Sequence, residues 1–297
     1  MSKIKVLFLV GGLSISIFTG PKVLANGLNQ STSVINQISY QQEEQPLSSD
    51  ILFDKLTAEV KNYLNSSSKN GTNTISSSIN YLDDLEKQQY DSLSSIDGLS
   101  EEYRLVLAKA MAYRYREAQY FSGLTKSKLV EIYQNETELN ITAQVSYNTD
   151  IKVAAYYVDN VKLANTLYND YNRIRNTPPI VQNIVVAETY RNALFIAYVK
   201  TGGPWDLKQN LGTYNYYMLL NTRRTGEYIG NHHFGYMGQH CGFAQSYLKF
   251  GAGLYQIVSG TSDWSFMSSY FDDPKDSAAI DDGFNDAHID VGFGIFY

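Results

Sequence analysis

Apolar residues recur at three- and four-residue intervals through most of this chain, and that period constrains its fold more than any other feature. Leu52, Leu56, Val60 and Leu64 form one stripe. Ile79, Leu82, Leu85 and Tyr90 suggest a shorter one, and Leu105, Ala108, Ala112 and Tyr115 mark the next. Ala154, Tyr157, Val161, Ala164 and Tyr168 follow, then Ile180, Ile184, Ala187, Leu194 and Tyr198. Such spacing sets one face of an α-helix against a core. Start signals agree with it. Ser100 stands before Glu101 and Glu102, where a hydroxyl caps free amides and acids meet the positive end of the helix dipole. Asp150 is placed to cap the helix after it. Gly123 is expected to end the Ser100 helix, with Lys126 to Tyr133 as a separate short helix. Asn135 to Tyr147 carries β-branched residues without clean alternation and is left open. Thr177-Pro178-Pro179 stops the next helix, because proline removes a donor and restricts the residue before it. The expected fold class is therefore mainly α: a helical N-terminal region over residues 51–176 and a small helical C-terminal domain over 180–297.

The N-terminus adds an expectation about location. Residues 1–25 read as a secretory signal peptide, with Lys3 and Lys5, an apolar run from Val6 to Phe18, and the small-x-small ending Val23-Leu24-Ala25. That run is short of the ~20 residues a membrane span needs, so no stable membrane insertion is expected once the signal is removed. Residues 26–50 are polar and read as a flexible segment. Removing residues 1–25 takes away Lys3, Lys5 and Lys22 and no acid, which leaves 21 basic against 30 acidic residues and a formal charge of −9. An acidic chain is a poor general binder of nucleic acid. Its single cysteine, Cys241, excludes an internal disulfide framework and reads as a small buried residue. The expected location is secreted or periplasmic.

The chemistry concentrates in Gly230 to Phe243. Three of the four histidines lie there (His232, His233 and His240), with Cys241 and several glycines. Upstream, Gly202-Gly203-Pro204 breaks the preceding helix and is followed by Trp205, Asp206 and Lys208. Tyr214 to Leu220 is expected to form a short helix rather than a strand, and Arg223 and Arg224 a solvated pair. Downstream, Tyr247, Gly251, Leu254 and Val258 keep helical spacing, and the small residues among them suggest tight packing or a constrained site. Phe271 to Asp276 reads as a turn, Asp276 as the cap of a last helix carrying Ala279, Ile280 and Gly283, and Val291 to Tyr297 as an apolar tail that packs back. No nucleophile elbow, zincin motif, P-loop or dinucleotide fingerprint is present.

These residues resemble a known family, the polymorphic toxin type 44 domain of bacterial conflict systems. Val199, Gly202, Gly203, Trp205, Asp206 and Lys208 resemble its opening motif. Gly230-Asn231-x-His233-Phe234-Gly235-x-x-Gly238 resembles its centre. Gly242-Phe243, Leu248, Gly251-Ala252-Gly253 and Gln256 resemble the helix that follows. Asp272-Asp273-Pro274-x-Asp276, Ile280 and Gly283 resemble its close. The resemblance covers about a third of the chain, from about residue 197 to 283, and implies a hydrolytic toxin with a cognate immunity protein as partner.

Roles follow residue by residue. His233 matches the family histidine and is the candidate general acid or base, since imidazole titrates near neutral pH. Asp206, Lys208, Asp273 and Asp276 complete the catalytic candidates. Asp206 has a plain structural role open to it as a helix cap, and the Asp273/Asp276 pair as a capped turn. Asn231, Trp205, Tyr236 and His240 are the substrate-binding candidates, with Asn231 equally able to hold a glycine turn. His233 and His240, seven residues apart, would lie about 10 Å apart along a helix, far for one metal, so no metal or cofactor is assigned. The leading expectation is an exported hydrolase acting on an envelope polymer such as peptidoglycan. The alternatives are a ribonuclease toxin acting in a target cytoplasm and an exported binding protein without enzymatic activity.

Overall fold

The computed structural model describes residues 45–69, 79–94, 96–135, 149–177, 180–259 and 273–289. The expected signal peptide, most of the 26–50 segment, the stretch 136–148, Asp272 and the 291–297 tail lie outside them.

The N-terminal region is a set of helices built on the expected stripes. Helix α1, Ser49–Lys69, buries Leu52, Leu56 and Val60. Helix α2, Asp84–Ser92, starts with a capping box: the Asp83 carboxylate accepts from the Leu85 and Glu86 amides, and Glu86 reaches back to the Asp83 amide. Helix α3 runs unbroken from Glu101 to Asn135, with the Ser100 hydroxyl accepting from the Tyr103 amide. The expected break at Gly123 does not occur. A helical glycine costs only about 1 kcal/mol against alanine, and Phe121 and Leu129 are both buried around it. Helix α4, Ile151–Asn176, ends at Thr177 as expected. The end of the segment read as flexible is pinned here: the Leu47 amide donates to Glu117 Oε1 and Arg114 Nη1 donates to the Leu47 carbonyl, both at 2.8 Å.

Helix α5, Ile180–Val199, buries Ala187, Leu194 and Tyr198, while Ile184 points outward. A short helix, α6 (Leu207–Leu211), leads to a two-stranded antiparallel hairpin, β1 (Tyr216–Leu219) and β2 (Thr222–Thr225). The expected helix over Tyr214 to Leu220 is therefore a strand. Leu219 pairs with Thr222 across a two-residue turn in which Leu220 and Asn221 have φ of 48° and 66°. That left-handed pair matches the twist of a tight hairpin. Asp150 also differs from expectation. Its carboxylate makes no cap; it accepts from the Met218 amide at 2.9 Å and ties the hairpin to the start of α4.

Helix α7, Gly226–His240, holds the histidine stretch, and helices α8 (Gln245–Ser259) and α9 (Pro274–His288) follow. Asn231 thus sits inside a helix and not at a glycine turn. The glycines are there for approach. A Cβ on Gly235 would lie 2.1 Å from the Ile280 carbonyl oxygen, and one on Gly283 only 1.9 Å from the His232 carbonyl oxygen. The backbones of α7 and α9 therefore meet directly, and any side chain at the crossing forces them apart. Among the described residues, by contrast, nothing lies within 4 Å of a Cβ on Gly251 of α8, so they show no close packing against it. A continuous core runs from Leu47 to Ala287 and includes both sides of the Thr177 stop. Among the described residues, no helix is long and apolar enough to cross a membrane.

Candidate active site

Helix α7 presents three different environments, one on each of its sides. The first is the core. His233 is 1% exposed. Its Nε2 accepts from the Asn160 side-chain amide at 3.0 Å, and its ring packs edge-on against Tyr157 and Trp205. Burial, with the neighbouring His232, pushes its pKa down to about 3, so the imidazole stays neutral near neutral pH. Two of the substrate-binding candidates lie in the same core. Trp205 is wedged against Phe195 and Tyr198, and Tyr236 packs against Tyr157. Cys241 is fully buried, and burial raises its thiol pKa. A thiol held protonated is a poor nucleophile.

The second environment gathers candidates from three distant segments. Asp276, half-buried in the first turn of α9, is the centre. Burial raises its pKa; Lys208 opposes that shift, Glu227 and Asp273 add to it, and the Asn231 side chain lowers it. These five residues come from α6, from α7 and from the start of α9. Local rules explain how each is held. Lys208 lays its stem over Gly230, where a Cβ would stand 2.5 Å from Lys208 Cγ. Glu227 and Asn231 are four residues apart and share a face of α7. Asp273 caps α9, its carboxylate accepting from the Lys275 amide at 2.8 Å, with Pro274 in the first turn. The cap is thus Asp273 and not the expected Asp276, which leaves the Asp276 carboxyl for the cluster. Asn231 is 8% exposed; its Nδ2 turns to the Asp276 carboxyl, whose pKa it lowers, but makes no close hydrogen bond with the described residues. A buried amide with donor capacity left over costs free energy, and this one borders a carboxyl of raised pKa.

The remaining candidates stand apart. Asp206 does the structural job open to it: it caps α6 by accepting from the Gln209 amide at 3.2 Å and also accepts from the Gly202 amide at 2.9 Å. His240, at the end of α7, meets Asn165 through Nδ1 at 3.2 Å. Arg223 lies over the Tyr216 ring and Arg224 over the Tyr228 ring. Among the described residues, no group of three or more His, Cys, Asp or Glu is arranged to hold a metal ion.

The third environment was missed in the sequence. His232, also buried, bonds through Nδ1 to the Tyr157 hydroxyl at 2.8 Å and through Nε2 to Asp286 Oδ2 at 2.9 Å. Glu227 was missed too. Its only sequence signal was the i, i+4 relation to Asn231, which is visible only once the glycine-rich stretch is read as a helix.

Residues 194–288 match a family model described as bacterial toxin 44, so the resemblance of the C-terminal part is found, and it supports a bacterial toxin. No curated protein and no solved structure matches the chain.

Proposed function

We propose that the C-terminal part is an exported hydrolase toxin that cleaves an envelope glycan such as peptidoglycan, with Asp276 as its proton donor. One observation carries this reading: the opening, centre and closing motifs converge on Asp276, whose carboxyl is raised while acidic neighbours stay close. A carboxyl raised by burial beside a more exposed carboxylate supplies an acid and a base in one site. Asp276 gives its proton to the glycosidic oxygen as the bond to the anomeric carbon breaks. Glu227, the more exposed carboxylate, takes a proton from the water that attacks that carbon. Lys208 offsets the negative charge of the carboxylates, and the Asn231 amide has a donor to give to a sugar oxygen. His233 holds α7 to α4 through Asn160; with a pKa of about 3 it takes up no proton at neutral pH.

The charge of the cluster favours a glycan over RNA. Asp276 has two acidic neighbours, Glu227 and Asp273, against the single cation Lys208, and a phosphodiester backbone is drawn to clustered cations. An immunity protein that covers this cluster is the expected partner.

The test is cleavage of purified peptidoglycan and of RNA by residues 26–297, native and Asp276→Asn. Release of new reducing ends from peptidoglycan, reduced at least 100-fold by the substitution with the circular dichroism spectrum unchanged, is the expected result. Cleavage of RNA alone, or full activity in Asp276→Asn, would overturn the reading. Expression with and without export should show killing only after export.

A further inference from the structure

An open cleft of about 400 Å³ lies between the β1–β2 turn, α7 and α9, lined by Arg224, Tyr228, His232, Asp282, Asn285 and Asp286 among others. These residues occupy positions that the toxin motifs leave open. Asp286 is ten residues from Asp276 on α9, about 15 Å along the axis, so this cleft is separate from the Asp276 cluster.

Its floor is a chain of hydrogen bonds. His232 Nε2 faces the Asp286 carboxylate, and Nδ1 faces the Tyr157 hydroxyl, which also lies 3.3 Å from the Ile229 carbonyl. Because Nε2 faces a carboxylate, it carries a proton. When the ring is neutral, Tyr157 donates to Nδ1. When the ring is cationic, Nδ1–H donates to the Tyr157 oxygen, and Tyr157 turns its proton to Ile229. Both ring nitrogens are satisfied in either state. Asp286 is thereby held in one orientation, and its side chain is 28% exposed.

The lining selects a class of ligand. Asp282 and Asp286 outnumber Arg224, whose guanidinium is already stacked 4.1 Å above the Tyr228 ring. The Tyr228 hydroxyl is turned to Asp282. Net negative charge repels a phosphodiester, whereas fixed carboxylate acceptors with an amide beside them suit a neutral ligand rich in hydroxyl donors. We propose that this cleft is a saccharide-binding site in which Asp286, positioned by His232 and Tyr157, accepts a sugar hydroxyl.

The experiment is a calorimetric titration of residues 26–297 carrying Asp276→Asn, with chitotetraose as probe and a single-stranded RNA oligonucleotide as control. Saturable chitotetraose binding, weakened at least tenfold by Asp286→Asn and by Asn285→Ala, is expected. Asn285 is exposed on α9, so its variant remains informative if Asp286→Asn disturbs His232. Absence of saturable chitotetraose binding, or binding unchanged in both variants, overturns the proposal. RNA binding that both variants abolish overturns it as well and makes the cleft a nucleic-acid site. The titration reads binding with the proposed donor removed, so its failure is distinguishable from failure of the peptidoglycan cleavage assay.

Discussion

Arg114 and Lys208 are both cations held near carboxyl groups, yet they sit in opposite kinds of surroundings. Arg114 in α3 is 1% exposed and saturated. It donates to both oxygens of Asp170, to Glu117 Oε2 and to the Leu47 carbonyl, while Tyr190 donates to Asp170. Lys109 in the same helix is likewise closed in, by Glu86 at 3.2 Å, by Glu59 at 3.1 Å and by the Tyr81 ring. Lys208 is half-buried near Asp276, whose carboxyl is raised, and the Asn231 amide there turns to that carboxyl with donor capacity left over. Buried charge that is fully bonded holds elements together. Charge that is partly open, with a donor left over, is poised for something that arrives from outside. The N-terminal helices thus carry structural charge, and the motif region carries charge with unused capacity.

The sharpest way to break this contrast is to unbalance the saturated network. Arg114→Ala leaves Asp170 and Glu117 buried without their partner, their side chains 0% and 2% exposed. The expected loss is about 3–5 kcal/mol, read as a lowered urea midpoint. Lys208→Ala, by the same logic, should cost under about 1 kcal/mol in stability while removing activity. A comparable loss of stability in both variants would erase the distinction.

Close backbone approach comes next in size. Gly283→Ala drives a methyl group into the His232 carbonyl and should cost about 1–3 kcal/mol. Gly251→Ala meets nothing within 4 Å and should be neutral or gain up to about 1 kcal/mol. Thermal unfolding of the two variants decides whether the glycines of α7 and α9 are there for packing.

Legibility in the sequence follows the same physics. Helices α1, α4 and α5 were readable because their cores repeat at the helical period. Helix α7 was legible only conditionally, with Asn231 assigned to a glycine turn, and Gly226, Gly230, Gly235 and Gly238 all oppose helix formation. What justifies Gly235 is the Ile280 carbonyl, 45 residues along the chain and invisible to local pattern. The hairpin was missed because Leu220-Asn221 lacks the glycine that usually announces a left-handed turn. Lys208, Asn231, Asp273 and Asp276 were nominated through the toxin resemblance. That they share one neighbourhood, and that His233 does not join it, depends on the fold of α7 against α4 and α9.

Protonation sharpens the comparison further, because His233 and Asp276 respond to pH in opposite senses. His233 has a folded pKa of about 3, below its unfolded value of ~6.5. Its neutral form is the one the core accepts. That contribution is complete above pH ~6.5 and declines as pH falls toward 3. Asp276 has a folded pKa raised above its unfolded value of ~3.9. Its contribution is complete below that value and declines as pH rises through the folded pKa. His233→Gln should flatten the acid limb of a stability–pH curve, and Asp276→Asn should leave neutral-pH stability unchanged or slightly higher. Hydrolysis that needs protonated Asp276 should fall as pH rises. An acid limb insensitive to His233→Gln would mean that the imidazole is not desolvated as the fold indicates.

The smallest expected effect concerns Asp206, which belongs to the motif region but is bonded like the N-terminal charges. Both oxygens are used: Oδ1 accepts from Gln209 and Oδ2 from Gly202. Its removal should act on the start of α6 and reach the chemistry only through Lys208, two residues on. Asp206→Ala is therefore expected to cost about 1 kcal/mol, the usual value of an N-cap. Specific activity, corrected for the folded fraction, should fall less than about threefold, and Asp206→Asn should recover most of the stability because asparagine caps nearly as well. A tenfold or larger loss of specific activity in a fully folded Asp206→Asn protein would move Asp206 into the reacting cluster. It would also show that saturation of a carboxylate does not, in this domain, separate structure from chemistry.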